Sequence, residues 1–251
     1  MELDAKGLLL DLDGTLYVGG APIPGAREAL SRLGAAGIPY RYVTNTTRKP
    51  RREVVCGLRE LGFPVSEDLV VTPAVAANAF LEGRRCHALV AESLVEDLAD
   101  VTLGGSGAPE YVLVGDLGRG FDYVRLNTAF RHLMDGAELV ALQRNRFWQE
   151  ADGLSLDAGP FVAALEYASG KTATVVGKPE PAFFGAAVRD LGLEAKDVAM
   201  VGDDPETDVA GAQAAGLRGI QVKTGKYRPG STGEPNAEIE DIAGLPEILG
   251  V

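Results

Sequence analysis

The 251-residue sequence predicts an α/β protein, in which a core built on a mostly parallel sheet carries a smaller inserted α/β domain. Three observations lead there. Short apolar runs that end in polar or glycine-containing turns alternate with helix-like patterns, the βαβ signature. This style occupies both ends of the chain, while the middle has strand-like runs and helices of its own. An apolar share of 46% with 24% charged residues belongs to an ordinary globular chain, away from disordered or membrane composition. The expected division is a core from residues 1–72 and 174–251, with the insert at 73–173.

The first strand is Leu8 to Leu10, ending at Asp11. A helix is expected over Pro24 to Leu33: proline suits a first turn, Ala26, Ala29, Leu30 and Leu33 share a face, and Gly34 or Gly37 can stop it. The chain returns as Tyr40 to Val43, ending at Thr44-Asn45. A second helix over Pro50 to Leu61 stacks Val54, Leu58 and Leu61 and stops at Gly62, after which Val70-Val71 leads into Thr72-Pro73. Within the insert, Tyr111 to Val114 and Glu138 to Leu142 read as strands, and the loop Gln143-Arg144-Asn145-Arg146 follows the second. Phe147 and Trp148 read as apolar packing inside the insert. The C-terminal third resumes with Thr174 to Val176 ending at Gly177-Lys178, Val198 to Val201 ending at Gly202-Asp203, and Gly219 to Val222 ending at Lys223-Thr224.

A formal charge of -12 repels a polyanion at long range, so no nucleic-acid partner is expected. Two cysteines, Cys56 and Cys86, are too few for a disulfide framework and fit a reducing cytosol. The segment from Met1 to Gly7 carries charges and no long apolar stretch, so neither a signal peptide nor a membrane span is expected, and the expected compartment is the cytoplasm.

In open parallel sheets, ligands bind beyond the carboxyl ends of the strands. Four polar clusters fall at such ends. Asp11-Leu12-Asp13-Gly14 puts two carboxylates at the end of the first run. Thr44-Asn45-Thr46 offers hydroxyl, amide and backbone N–H groups suited to phosphate oxygens, although the same residues also make caps and turns. Lys178 precedes Pro179, which can open a helix, so its ammonium lies near a helix end that favours an anion. In Gly202-Asp203-Asp204-Pro205-Glu206-Thr207-Asp208, capping accounts for Asp204 and leaves Asp203 and Asp208 as oxygen ligands for a hard cation such as magnesium. Two decoys fail: a calcium loop starting at Asp11 needs glycine where Leu16 stands, and Gly170-Lys171-Thr172 lacks the earlier glycine of a phosphate-binding loop.

Together these clusters, in this order, resemble the four motifs of the haloacid dehalogenase-like superfamily. The stretch from Asp13 to Thr44 is too short for a separate domain, whereas the chain between Asn45 and Lys178 is long enough for one. The resemblance is therefore to the branch with an α/β cap between the second and third motifs, which includes 4-nitrophenylphosphatase-like, nucleotide and pyridoxal phosphatases. Val43-Thr44-Asn45-Thr46-Thr47, Val175-Val176-Gly177-Lys178-Pro179 and Val222-Lys223-Thr224-Gly225-Lys226-Tyr227 are similar to the group of phospholysine phosphohistidine inorganic pyrophosphate phosphatase and haloacid dehalogenase-like hydrolase domain-containing protein 2. That group carries serine where this chain has Asp13.

The resemblance implies a Rossmann-like parallel-sheet core with an inserted cap, and a magnesium-dependent phosphatase working through an aspartyl-phosphate. Asp11 is then the nucleophile and Asp13 the acid and base. Mg2+ is held by Asp11, the backbone carbonyl of Asp13 and Asp203, with Asp208 acting through water. Thr44, Asn45 and Lys178 bind the phosphoryl group. Arg144, Asn145 and Arg146 are candidates for setting specificity. The expected partners are a small phosphorylated substrate and a second copy of the chain in a homodimer, with no membrane. Pyrophosphate and phosphoramidate bonds stay open as substrates. A phosphotransferase or mutase on the same core, or a non-catalytic binding protein, stays open as an alternative.

Overall fold

The computed structural model describes residues 3–150, 153–230 and 234–251, with the backbone only at Trp148, Gln149 and Glu150. The chain forms two compact units. One takes the chain up to Thr44, Arg52–Val71 and Lys178 onward; the other takes Asn45–Arg51 and Thr72–Gly177.

In chain order the first stretch contains β1 (Gly7–Asp11), a hairpin of β2 (Tyr17–Val18) and β3 (Ala21–Pro22), α1 (Ala26–Ala35), β4 (Tyr40–Val43), α2 (Arg51–Glu60) and β5 (Val70–Val71). The middle holds α3 (Pro73–Phe80), β6 (Arg85–Leu89), β7 (Thr102–Leu103), β8 (Tyr111–Val114), α4 (Tyr123–Met134) and β9 (Glu138–Ala141). It continues with β10 (Phe147–Glu150), β11 (Gly153–Leu156), α5 (Ala158–Ser169) and β12 (Thr174–Val175). The last stretch holds α6 (Pro181–Leu191), β13 (Val198–Gly202), a π-type turn at Pro205–Ala210 that runs into α7 (Gly211–Ala214), β14 (Arg218–Val222), β15 (Ala237–Ile239) and α8 (Leu245–Ile248).

The sheet of the first unit has the order β15-β14-β13-β1-β4-β5, all pairs parallel. Its two central strands, β1 and β13, are buried along their whole length, as continuous apolar runs in a covered parallel sheet should be. Leu8 and Leu10 pack with Leu30 and Leu33 of α1, the helix face anticipated from spacing. Register places Asp11 opposite Val43, so Thr44 emerges beside Asp11 at the carboxyl edge. The second unit has its own parallel sheet, β12-β9-β8-β6-β7, with apolar clusters on both faces.

Four expectations are corrected. Pro24 lies outside α1, because Gly25 at the N-cap takes a left-handed φ of 78° and the helix begins only at Ala26. In α2 the buried pair is Val55 and Leu58, with Val54 and Leu61 half-buried. The strand expected to reopen the core at Thr174 instead pairs as β12 with β9, Thr174 against Val140, and so completes the second unit's sheet. Phe147 stands on the antiparallel β10–β11 hairpin and is 52% exposed, since among the described residues that hairpin pairs only with itself. The packing expected of Trp148 falls on a side chain outside those described, as do Met1 and Glu2 at the head of the charged N-terminal segment.

Candidate active site

β1 delivers Asp11 to the carboxyl edge of its sheet. β13, its immediate neighbour, ends at Gly202 and delivers Asp203 there. The turn after β13 is shaped by local chemistry. Asp204 caps it, its Oδ1 accepting from the N–H groups of Glu206 and Thr207, each at 3.1 Å, and Pro205 occupies the first position. This rotates Asp208 back under Gly202, where a Cβ would overlap its carboxylate, and Asp208 Oδ2 accepts from Asp204 N at 3.2 Å.

Lys178 ties these elements together. Its Nζ donates to Asp11 Oδ1 at 2.5 Å and to Asp208 Oδ1 at 2.6 Å, with all three side chains buried. Pro179 does not open the following helix, which begins at Pro181 behind Glu180; the ammonium is held by carboxylates rather than by a helix end. Burial alone would lower its pKa, but Asp11 and Asp208 outweigh that and hold it above the usual lysine value. Thr15, fully buried, donates to Asp11 Oδ2 at 3.5 Å.

Asp11, Asp203 and Asp208 offer ligand oxygens within 4.8 Å of one another. The three carboxylates are buried, and burial is the largest cause of the upward shift of each. Burial pushes Asp203 up to about 6, with the Asp208 charge adding to it against the hydrogen bond from Lys226 N. Asp208 also rises to about 6, by burial and then the Asp11 charge, against the pull of Lys178. Asp11 is raised as well, burial exceeding the effect of Lys178. A buried, oxygen-only donor set carrying surplus negative charge fits a hard divalent cation such as Mg2+.

The loop beyond Asp11 is exposed at Asp13, whose backbone bridges to Tyr17, and Gly14 N donates to Tyr17 O at 2.8 Å. The Tyr17 hydroxyl is pushed up to about 12 by burial and by the charges of Asp13 and Asp11. Gly14 has φ of 90° and rests against Asp203, whose Oδ2 a Cβ would overlap, so only glycine fits this turn.

The first unit thus brings together Asp11, Asp13, Lys178, Asp203 and Asp208, with Thr44 at the adjoining strand end. Asn45 belongs to the second unit with the rest of Asn45–Arg51. There Arg48 pairs with buried Asp116, and Arg51 N donates to Asp97 Oδ2 at 2.7 Å. Arg144, Asn145 and Arg146 are exposed in the same unit. Their loop has internal structure: buried Gln143 donates to Asp157 and accepts from Asn145 N, Gly159 N donates to Asn145 O at 3.0 Å, and Arg144 pairs with Glu166 at 2.7 Å.

Sequence reasoning did not single out Gln221, Thr224 or Lys226 as site residues. Buried Gln221 donates to the carbonyls of Gly202 at 3.2 Å and Asp203 at 2.8 Å; a polar residue inside an otherwise apolar strand run was the available signal. Thr224 Oγ1 donates to Gly14 O, and Lys226 N donates to Asp203 Oδ2 at 2.7 Å.

A family model described as haloacid dehalogenase-like hydrolase matches residues 8–104, and one described as HAD-hydrolase-like matches residues 175–245. Haloacid dehalogenase-like hydrolase domain-containing protein 2 of Bos taurus is 46% identical over 89% of this chain and 86% of its own length. Phospholysine phosphohistidine inorganic pyrophosphate phosphatase of Rattus norvegicus is 42% identical over 97% of this chain and 94% of its own. Among solved structures, p-nitrophenyl phosphatase from Archaeoglobus fulgidus superposes with a TM-score of 0.89 at 27% identity, covering 98% of this chain and 99% of that one. With family models matching both ends and relatives matching nearly its whole length, the chain belongs to the haloacid dehalogenase-like hydrolase family.

Proposed function

We propose that this protein is a magnesium-dependent phosphatase that hydrolyses a small phosphorylated compound through an aspartyl-phosphate on Asp11. The observation that carries the reading is the buried Asp11–Lys178–Asp208 bridge beside Asp203. Phosphoryl transfer asks a protein for positioning and charge neutralisation, and this cluster supplies both at one carboxylate.

In the proposed reaction an Asp11 oxygen attacks phosphorus in line, the bond to the leaving oxygen breaks, and Asp13 protonates that oxygen. Asp13 then takes a proton from water, which attacks the aspartyl-phosphate and frees phosphate and Asp11. Lys178 offsets the charge that would otherwise repel a carboxylate from a phosphate, and Thr44 and Asn45 hold the phosphoryl oxygens. Mg2+, held by Asp11, the Asp13 carbonyl and Asp203 with Asp208 behind them, would add charge neutralisation for the transferred group. The exposure of Asp13 suits a residue that must meet both leaving group and water. The activities in the relatives' names support phosphate monoesters first, with pyrophosphate and phosphoramidate bonds as further candidates.

Phosphate release from 4-nitrophenyl phosphate, dependent on added magnesium, is the direct test. Asp11→Asn should fold and be inactive, since it removes the nucleophile's charge with little change in shape. Normal turnover in that variant would refute the covalent route.

A further inference from the structure

The loop after β14 reaches farther than its place in the sheet suggests. β14 pairs with β13 and not with β1, yet Thr224 Oγ1 donates to the carbonyl of Gly14, in the turn after β1. Asp203 adjoins both turns. A Cβ at Gly14 would overlap its Oδ2, and a Cβ at Gly225 would overlap the same oxygen and come within 2.7 Å of Gly14 Cα. The Asp203 carboxylate thus rests against two glycines of different loops. Its Oδ2 is engaged by Lys226 N at 2.7 Å, and its backbone carbonyl by Gln221 at 2.8 Å.

The loop is itself firmly seated. Lys223 N donates to Ile239 O at 3.1 Å, Tyr227 N closes a turn onto Thr224 O at 3.1 Å, and Gly225 supplies the left-handed φ of 56° which that turn requires.

We propose that the Thr224-Gly225-Lys226 loop is the clamp that sets the cation-binding geometry of this site, with Thr224 as a positioning residue. The inference rests on the phosphatase reading only for its cation. Thr224 fixes the peptide that follows the Asp13–Gly14 peptide, whose carbonyl is the proposed backbone ligand. Lys226 N fixes one oxygen of Asp203 and thereby the direction of the other. Two ligand-bearing turns from separate strands are thus held in register by a third. Outer partners of this kind orient metal ligands, and their loss typically weakens affinity about 10- to 100-fold.

The test is calorimetric titration of magnesium chloride into metal-free protein, with the thermal midpoint in EDTA measured alongside. Thr224→Val, nearly the same shape without the hydroxyl, should weaken magnesium binding by roughly 10- to 100-fold, and Thr224→Ser should restore it. Gly225→Ala should weaken it further by displacing Asp203. A Thr224→Val protein that binds magnesium as wild type does overturns the clamp, whether or not its midpoint falls; so does a wild type that binds no magnesium. A wild type that binds magnesium but hydrolyses no phosphate monoester overturns the phosphatase reading instead, and the calorimetric comparison still decides the clamp.

Discussion

Asp203 is held in the fold at an energetic cost, so Asp203→Asn should make the metal-free protein more stable while disabling its cation site. Burial raises the carboxyl from 3.8 to about 6, a difference worth roughly 3 kcal/mol once the group is ionised in both states. The sign follows from proton binding. Between these two values the native state holds a proton that the unfolded chain has lost, so the group favours folding below 3.8 and loses that advantage as pH rises through about 6. At pH 7.5 the cost is fully present, and the amide removes it. Its oxygen can still accept from Lys226 N, and its N–H groups face a carboxylate-rich site. The upper bound on the gain is therefore roughly 3 kcal/mol, about 6–12 °C in thermal midpoint for a chain of this size. Thermal unfolding in EDTA at pH 7.5 and at pH 3.5 is the assay, and the gain should vanish at the lower pH. Magnesium at 100 times its Kd should raise the wild-type midpoint by the equivalent of about 2.7 kcal/mol and shift the variant far less. A variant no more stable than wild type in EDTA at pH 7.5 would refute the claim that this carboxylate is strained by burial.

Lys178→Met should destabilise the metal-free protein by about 3–5 kcal/mol at neutral pH, because it leaves Asp11 and Asp208 buried without their cation. The deficit should shrink as pH falls and those carboxyls, both raised by burial, take up protons; a pH-independent deficit would point to packing alone. Asp13→Asn should lose roughly 10²- to 10⁴-fold with alkyl phosphates. With 4-nitrophenyl phosphate it should show a burst of 4-nitrophenol and then slow turnover, because the leaving group needs little protonation while water still needs a base. Equal small losses with both substrates and no burst would reduce Asp13 to a structural residue. Replacing Arg144 and Arg146 together by alanine should reorder preferences across a panel of phosphorylated compounds while sparing the smallest, and an unchanged ranking would leave that loop as surface.

The sequence by itself determined what local chemistry controls. Asp11 after a leucine run, Thr44 after Tyr40 to Val43, and Gly202-Asp203 after Val198 to Val201 were placed at strand ends because apolar runs define strands and polar residues end them. Asp204 was legible as a cap because Asp-Pro at a helix start has a local cause. The tertiary structure alone decided what depends on distant pairs. Whether Thr174–Val175 joined the core or the insert depended on which distant strand it met, and β9 supplied the partner, Val140 and Ala141. Lys178 read as a residue near a helix end because nothing nearby announces that it meets Asp11, 167 positions earlier. Thr224 looked like the end of a strand, and only the stacking of three loops brings it to Gly14, 210 positions away. Spacing along a chain reports which face a side chain takes within its own element; which other element meets that face is set by how the sheets close and the loops stack, and there the site acquires its charge balance and its rigidity.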